Sequence, residues 1–232
     1  MKDINADSKT TSMSEVQDKK SSLRITEIFY SLQGESSFVG LPTVFIRLTG
    51  CPLRCGYCDT AYAFNGGEWM DISKIIEQIK QYNTTMICVT GGEPLAQRCC
   101  GELLTQLCDE GYRVSIETSG AMDISQVDTR VYRIMDIKTP GSGEESKNKY
   151  GNISHLTQKD EVKFVLCNRE DYVWSKALIG QYQLDQKAQI LFSPVHEGVS
   201  PRELADWIIS DQLNVRFQFQ LHKLLWNDEP GR

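Results

Sequence analysis

Three cysteines, Cys51, Cys55 and Cys58, lie in "LTGCPLRCGYCDT", Leu48 to Thr60, directly after a strand-like apolar run. Three thiolates on one short loop can hold zinc or an iron–sulfur cluster. Structural zinc wants four ligands in a closed tetrahedron. The other cysteines offer no good fourth: Cys88 falls in a predicted strand, Cys108 on a predicted helix, Cys167 at a strand end, and Cys99 and Cys100 are adjacent. His155, His196 and His222 are single and far apart. A cubane cluster on three thiolates leaves one iron without a protein ligand, whereas most cluster sites use four. An open iron implies an exchangeable ligand, as an open zinc position does in hydrolases. The CxxxCxxC spacing, followed by a second glycine turn at "GGEP" (91–94), points to S-adenosylmethionine as that ligand. On spacing alone, zinc with a remote fourth ligand and redox thiols both stay open.

The elements that must position this loop follow from periodicity. "PTVFIRLTG" (42–50) is β-branched and aromatic, and predicts a strand that delivers the cysteines. Strands are also predicted at 86–94, 112–120, 131–138, 161–167, 189–195 and 215–220. "MDISKIIEQIKQYN" (70–83) carries Ile72, Ile75, Ile76 and Ile79 at helical spacing. Leu103, Leu104 and Leu107 mark a second helix, ended by Gly111. "SPRE" opens another: Ser200 caps, Pro201 takes the first turn, Glu203 completes a capping box, and the helix face carries Leu204, Trp207 and Ile208. Strand alternating with helix predicts an α/β fold with mainly parallel strands. The polar, glycine-containing stretch 138–160 reads as a surface loop or lid.

The chain has 232 residues, 40% apolar and 24% charged, enough for one large domain with a sizeable core. Its formal charge of −6 gives no global reason to bind nucleic acid. No apolar run is long enough for a transmembrane helix, so no membrane partner is expected. Residues 1–22 lack a signal-peptide core and read as a disordered polar leader, with one domain over 23–232. That predicts a cytoplasmic protein whose eight cysteines stay reduced.

The cysteine motif, with Tyr57 before its third thiol, is similar to the radical S-adenosylmethionine superfamily. "EIFYSLQGES" (27–36), "FIRLTGCPLRCGYCDT" (45–60), "VTGGEP" (89–94), "IETSG" (116–120) and "QLHKLLW" (220–226) together resemble the 7-carboxy-7-deazaguanine synthase family. The resemblance implies a partial (β/α) barrel with one 4Fe–4S cluster per subunit on Cys51, Cys55 and Cys58. It puts S-adenosylmethionine against Tyr57, Cys58, Asp59, Gly92, Asp136, Ile137, Lys138, Ser193, Pro194, Val195 and His196. "DIK" (136–138) departs from the "SPK" associated with many members, which weakens Asp136. Gly50 and Gly56 would donate amides to sulfur, and Glu93 would accept from the cofactor's ammonium. Leu32, Gln33, Gly34, Arg47, Thr90, Glu117 and His222 would hold a pterin, and Thr60 a Mg²⁺ ion. His222 would reach it from a C-terminal strand.

Arg47 has independent support, because strand alternation puts it on one face with Phe45, pointing into the barrel. A buried guanidinium needs an anion: the substrate carboxylate, or an internal partner such as Glu117. Thr60 could equally start a turn, and His222 could be a packed polar residue. The family reaction is a carbon–nitrogen lyase step in queuosine biosynthesis. It contracts the ring of 6-carboxy-5,6,7,8-tetrahydropterin to 7-carboxy-7-deazaguanine with loss of ammonia, after hydrogen is taken from the carbon bearing the carboxylate. A homodimer and a reducing partner such as a flavodoxin are further implications. Two rivals stand beside it: a radical activating enzyme for a partner protein, and a zinc-stabilised interaction module.

Overall fold

The computed structural model describes residues 21–196, 198–227, 229 and 231. Its strands are β1 (Ser22–Leu32), β2 (Pro42–Leu48), β3 (Glu68–Asp71), β4 (Met86–Gly91), β5 (Arg113–Thr118), β6 (Tyr132–Asp136), β7 (Glu161–Leu166), β8 (Gln189–Pro194) and β9 (Arg216–Phe217). Helices are α1 (Ile72–Ile79), α2 (Cys100–Asp109), α3 (Arg169–Tyr182), α4 (Pro201–Ser210) and α5 (Leu221–Trp226). Among the described residues the strands form one sheet, ordered β3-β1-β2-β4-β5-β6-β7-β8-β9. From β2 to β9 every pairing is parallel; β1 runs antiparallel to both β2 and β3. The sheet does not close on itself, so the architecture is the expected partial barrel. Among the described residues, no helix is long and apolar enough to cross a membrane.

Period-2 alternation sorts each strand into two faces. Val44, Ile46, Leu48, Ile87, Val89, Ile116, Met135, Val162 and Phe164 join one apolar cluster with the helices. The alternating residues Arg47, Thr90, Glu117, Asp136 and Lys163 therefore share the opposite, interior face. Helix α1 buries all four predicted isoleucines, each worth about 1.5–3 kcal/mol on full burial. The "SPRE" capping box is present as read, with Ser200 and Glu203 bonding reciprocally.

Several boundaries move. Met70 and Asp71 belong to β3, because Glu68–Asp71 pairs with β1 and the helix starts only at Ile72. Of the leader, residues 1–20 lie outside the described residues, while Ser22 opens β1. The strand expected over 215–220 shrinks to Arg216–Phe217, since only these pair with β8. His222 consequently sits on helix α5, not on a strand.

The 138–160 segment is not a polar lid. It forms short 3-10 turns at Pro140–Ser142, Glu145–Lys147 and Tyr150–His155, and Ile153 and Leu156 enter the core. Two asparagines tie it down by imitating backbone. Asn148 pairs with both the amide and the carbonyl of Lys138, and Asn152 donates to the carbonyls of Gly120 and Met122.

Candidate active site

Strand β2 ends at Leu48 and releases the cysteine loop at the C-terminal edge of the parallel strands. Cys51, Cys55 and Cys58 are free thiols, each partly exposed. The loop is shaped locally, with the Cys58 amide on the Cys55 carbonyl at 3.2 Å and the Leu53 amide on Cys51 Sγ at 3.4 Å. Burial pushes the Cys51 and Cys55 thiols up, with neighbouring negative charge adding to it. The expected sulfur donors are otherwise engaged. The Gly50 amide bonds the Ala63 carbonyl at 2.8 Å, and the Gly56 amide bonds the Ser142 carbonyl at 3.1 Å.

Among the described residues, no three His, Cys, Asp or Glu side chains converge to hold a single metal ion. Tetrahedral zinc would draw its sulfurs to within about 4 Å of one another, given Zn–S bonds near 2.3 Å. Three free thiols on one loop are the donor set a multi-iron group takes.

The "GGEP" turn packs directly on this loop. A Cβ on Gly92 would lie 2.3 Å from the Gly50 carbonyl oxygen and 2.8 Å from Cys51 Cβ, so only glycine allows the approach. The Gly92 and Glu93 amides bond the carbonyls of Leu48 and Gly50, which leaves carbonyls rather than amides for a ligand. Glu93 is not available to a ligand ammonium: it is fully buried and already saturated. Its carboxylate accepts from the Leu95 amide, the Thr118 hydroxyl, and both the amide and hydroxyl of Ser119. It staples β4 to β5 and has no oxygen left for an ammonium.

Asp136 and Lys138 pair at 2.9 Å, with Lys138 Nζ 5.9 Å from the centre of the Tyr57 ring. Burial alone would lower the Lys138 ammonium, but Asp136 and Cys55 outweigh it and hold it above the ordinary lysine range. Two polar atoms here, Asp136 Oδ1 and the Tyr57 hydroxyl, are buried without a hydrogen-bond partner. Such orphans fit a polar ligand lying between the cysteine loop and β6. Ile137 turns its side chain into the core and its amide bonds the Lys163 carbonyl, so neither is offered to a ligand. Ser193 alternates with core Phe192 and is buried, whereas Pro194 and Val195 are half-buried and His196 is exposed.

Deeper in the interior, Thr90 donates to Glu117 at 2.9 Å and Gln33 donates to the other Glu117 oxygen at 3.3 Å. Arg47 does not pair with Glu117. Its Nε meets Glu27 at 2.7 Å, directly across the β1–β2 register, and its guanidinium lies against Phe29 and Tyr62. Burial would lower the Arg47 guanidinium, but its contacts with Tyr62 and Glu27 hold it above its ordinary range. Leu32 alternates away from this face, leaving its backbone alone to contribute.

Residues 33–37 cross the barrel. The Ser37 amide reaches Glu161 at 2.8 Å, its hydroxyl reaches Gln189 at 2.5 Å, and Gln218 donates to the Ser36 carbonyl at 3.3 Å. Buried Ser36 adopts φ 64°, a strained setting for a non-glycine residue. A Cβ on Gly34 would fall 2.2 Å from His222 Nδ1, so the glycine is what lets α5 close over this loop. Burial holds the His222 imidazole below its ordinary range.

Thr60 donates its hydroxyl proton to Asp59 at 2.8 Å, which leaves its oxygen lone pairs free for a cation. Asp59 also meets Gln220 at 3.1 Å and Lys223 at 3.5 Å. Burial would raise its carboxyl, but the Thr60 hydroxyl and the Lys223 ammonium bring it down to about 2.

Sequence reasoning left Glu27, Glu35, Lys163 and Gln220 without roles. Lys163, between core residues Val162 and Phe164, was detectable as a charge on a buried strand. It pairs with Glu35, which sits in the quoted "SLQGE". A surface recess of about 810 Å³ lies elsewhere, around Arg24, Trp69, Gln97 and Arg98, and no residue assigned above lines it.

Residues 45–135 match the radical SAM superfamily. The 7-carboxy-7-deazaguanine synthase of Chlorobaculum tepidum is 43% identical over 210 residues, covering 89% of this chain and 96% of the relative. The chain belongs to the 7-carboxy-7-deazaguanine synthase family. The synthase of Koribacter versatilis is 40% identical, covering 89% of this chain and 98% of its own. The crystal structure of QueE from Escherichia coli superposes with a TM-score of 0.72 at 22% identity, over 90% of this chain and 99% of that one, which supports the fold. Membership of this radical family implies a 4Fe–4S cluster and S-adenosylmethionine, and a synthase implies a small-molecule substrate.

Proposed function

We propose that residues 23–232 act as one catalytic domain that converts 6-carboxy-5,6,7,8-tetrahydropterin to 7-carboxy-7-deazaguanine and ammonia. Product plus ammonia contains the substrate's atoms, so no net oxidant is consumed. The observation that carries the reading is the interior face. There a guanidinium and a Gln33–Glu117–Thr90 ladder lie on the same barrel interior as a loop of three free thiols.

Cys51, Cys55 and Cys58 would hold the cluster, and Tyr57, Asp59, Gly92, Asp136, Lys138, Ser193 and the backbone around them the cofactor. When bound, these groups supply one-electron chemistry and abstraction of a substrate hydrogen. The remaining roles are the chain's own. Arg47 grips the substrate carboxylate with its fork while Glu27 holds the guanidinium in place. Glu117 accepts from ring N–H groups, and Gln33 offers both a donor and an acceptor. Thr60 offers lone pairs to a Mg²⁺ shared with the substrate carboxylate, an oxygen-rich shell that this ion prefers. Buried walls exclude water from the reacting carbon. A homodimer, a flavodoxin-like reductant, a cytoplasmic setting and a pathway toward queuosine complete the proposal.

The test is anaerobic incubation of reconstituted protein with cofactor, reductant, Mg²⁺ and the carboxytetrahydropterin, followed by mass analysis. 7-Carboxy-7-deazaguanine is expected. Cofactor cleavage with no change in the pterin would point instead to the activating-enzyme rival.

A further inference from the structure

One chain of hydrogen bonds joins the two ends of this site, and a single amide carries it across the middle. Thr60 donates to Asp59 at 2.8 Å. At the far end, Thr90 donates to Glu117, Gln33 donates to Glu117, and the Glu35 amide donates to Gln33 Oε1 at 3.1 Å. The link between these halves is Gln220. Its Nε2 donates to Glu35 Oε1 at 2.8 Å and to Asp59 Oδ2 at 3.1 Å.

A carboxamide nitrogen has two protons, and here each goes to a different carboxylate. The outer oxygens of both carboxylates are engaged as well, Glu35 by Lys163 and Asp59 by Thr60. Glu35 and Asp59 are near enough for each to feel the other's charge. A neutral double donor between two like charges relieves repulsion that an acceptor there would worsen. Residue 220 directly precedes α5, whose Leu221 amide bonds the Gly34 carbonyl at 3.0 Å. Gln220 thus fixes the crossing loop, the end of the cysteine loop and the C-terminal helix relative to one another.

We propose that Gln220 is a positioning residue: a two-way amide clamp that sets the substrate loop at Glu35 against the Asp59–Thr60 end of the site. It contacts neither cluster nor substrate; it acts through Glu35 and Asp59. This inference rests on the proposed reading of the site and adds a residue to which that reading gave no role.

The experiment compares reconstituted wild type with Gln220→Met, which keeps length but loses both donors, and Gln220→Glu, which keeps shape but puts an acceptor between two carboxylates. Iron and sulfide content should match wild type in both. Substrate affinity measured by titration with Mg²⁺ should fall roughly 10- to 100-fold in Gln220→Met, the scale on which residues supporting a ligand matter. Gln220→Glu should fall further. A packing role predicts the reverse order, because glutamate is the closer isostere. The amount of 5′-deoxyadenosine released per product should also rise, since a misplaced substrate is reached less often.

Lys223→Met supplies an independent arm. It removes Asp59's cationic partner without touching Glu35, so it should weaken the Mg²⁺ dependence while leaving Mg²⁺-free substrate affinity near wild type. Substrate affinity and release ratio unchanged in Gln220→Met would overturn the clamp, as would Gln220→Glu binding better than Gln220→Met. If wild type makes no product, the reaction assignment fails instead. The clamp is then read by hydrogen exchange over 218–226, which must quicken in Gln220→Met and more so in Gln220→Glu; unchanged exchange would overturn it.

Discussion

The cysteine loop and the crossing loop do comparable work but are tied to different numbers of distant elements. Between Cys51 and Cys58 local bonds, Cys58 to Cys55 and Leu53 to Cys51, are joined by two to one other segment, Gly56 to Ser142 and Arg54 to Glu144. Between Gln33 and Ser37 the side-chain anchors come from several distant strands and the C-terminal segment: Ser37 to Glu161, Ser37 to Gln189, Gln220 to Glu35. A site whose reactivity is brought by a bound group needs only a correctly spaced set of ligands, which one loop can carry. A site that must measure a substrate's shape needs several strands at once. The first kind is written in short motifs; the second emerges only from the fold.

The contrast is broken most severely at the local end. Changing Cys51, Cys55 or Cys58 to Ala should abolish cluster iron, sulfide and all turnover, because no other thiol lies on that loop. Cys88→Ala should keep the cluster, since Cys88 is buried in β4 on a different element. Iron and sulfide analysis of anaerobically reconstituted protein checks both. A cluster retained after loss of any one of the three would mean that the ligand set is wrong.

At the distributed end the expected losses are graded. Arg47→Lys keeps a charge but loses the planar fork, so substrate binding should weaken by about 1.5–3 kcal/mol while cofactor cleavage without substrate persists. Glu27→Gln should give a smaller loss of the same kind, because it loosens the guanidinium without removing it. Titration of substrate into each variant decides between carboxylate grip and internal ion pair. If Arg47→Lys binds substrate normally, Arg47 serves the Glu27 pair alone.

Legibility divides along the same line. The parallel strands, the amphipathic helix over Ile72–Ile79, the capping box at Ser200 and the cysteine and glycine turns were readable, since each rests on residues a few positions apart. Asp136 and Lys138 were readable by position, and their pairing follows from lying two residues apart where the chain leaves the end of β6. Glu93 misled because a carboxylate beside a glycine turn looks available until Thr118 and Ser119, from the next strand, are seen to saturate it. The internal alternative for Arg47, Glu117, gave way to Glu27 for a similar reason. Strand alternation found its face, but only the antiparallel register sets Glu27 opposite it. The 138–160 segment looked like a solvated loop by composition, because nothing local reveals that Asn148 and Asn152 point inward.

Gly34→Ala sharpens the comparison at one atom. The added methyl meets His222 and should push α5 from the crossing loop. Overpacking of this kind costs about 1–3 kcal/mol. Substrate affinity should drop by that order with the cluster intact, and a normal affinity would show that α5 does not close the site. The smallest effect is on pH. Burial holds the folded His222 below its ordinary 6.5, so on acidification the unfolded chain takes up the proton first. Stability is then full above pH 6.5 and declines as pH falls through the folded value. Thermal midpoints of wild type should show that decline, and His222→Gln should flatten it.

The central claim is that one barrel interior holds the substrate carbon within reach of the chemistry brought to the cysteine loop. Substrate carrying deuterium on the carbon that bears its carboxylate tests this most directly. Under anaerobic turnover, that deuterium should appear in 5′-deoxyadenosine, together with 7-carboxy-7-deazaguanine and ammonia. Deuterium-free 5′-deoxyadenosine alongside unchanged substrate would contradict the account.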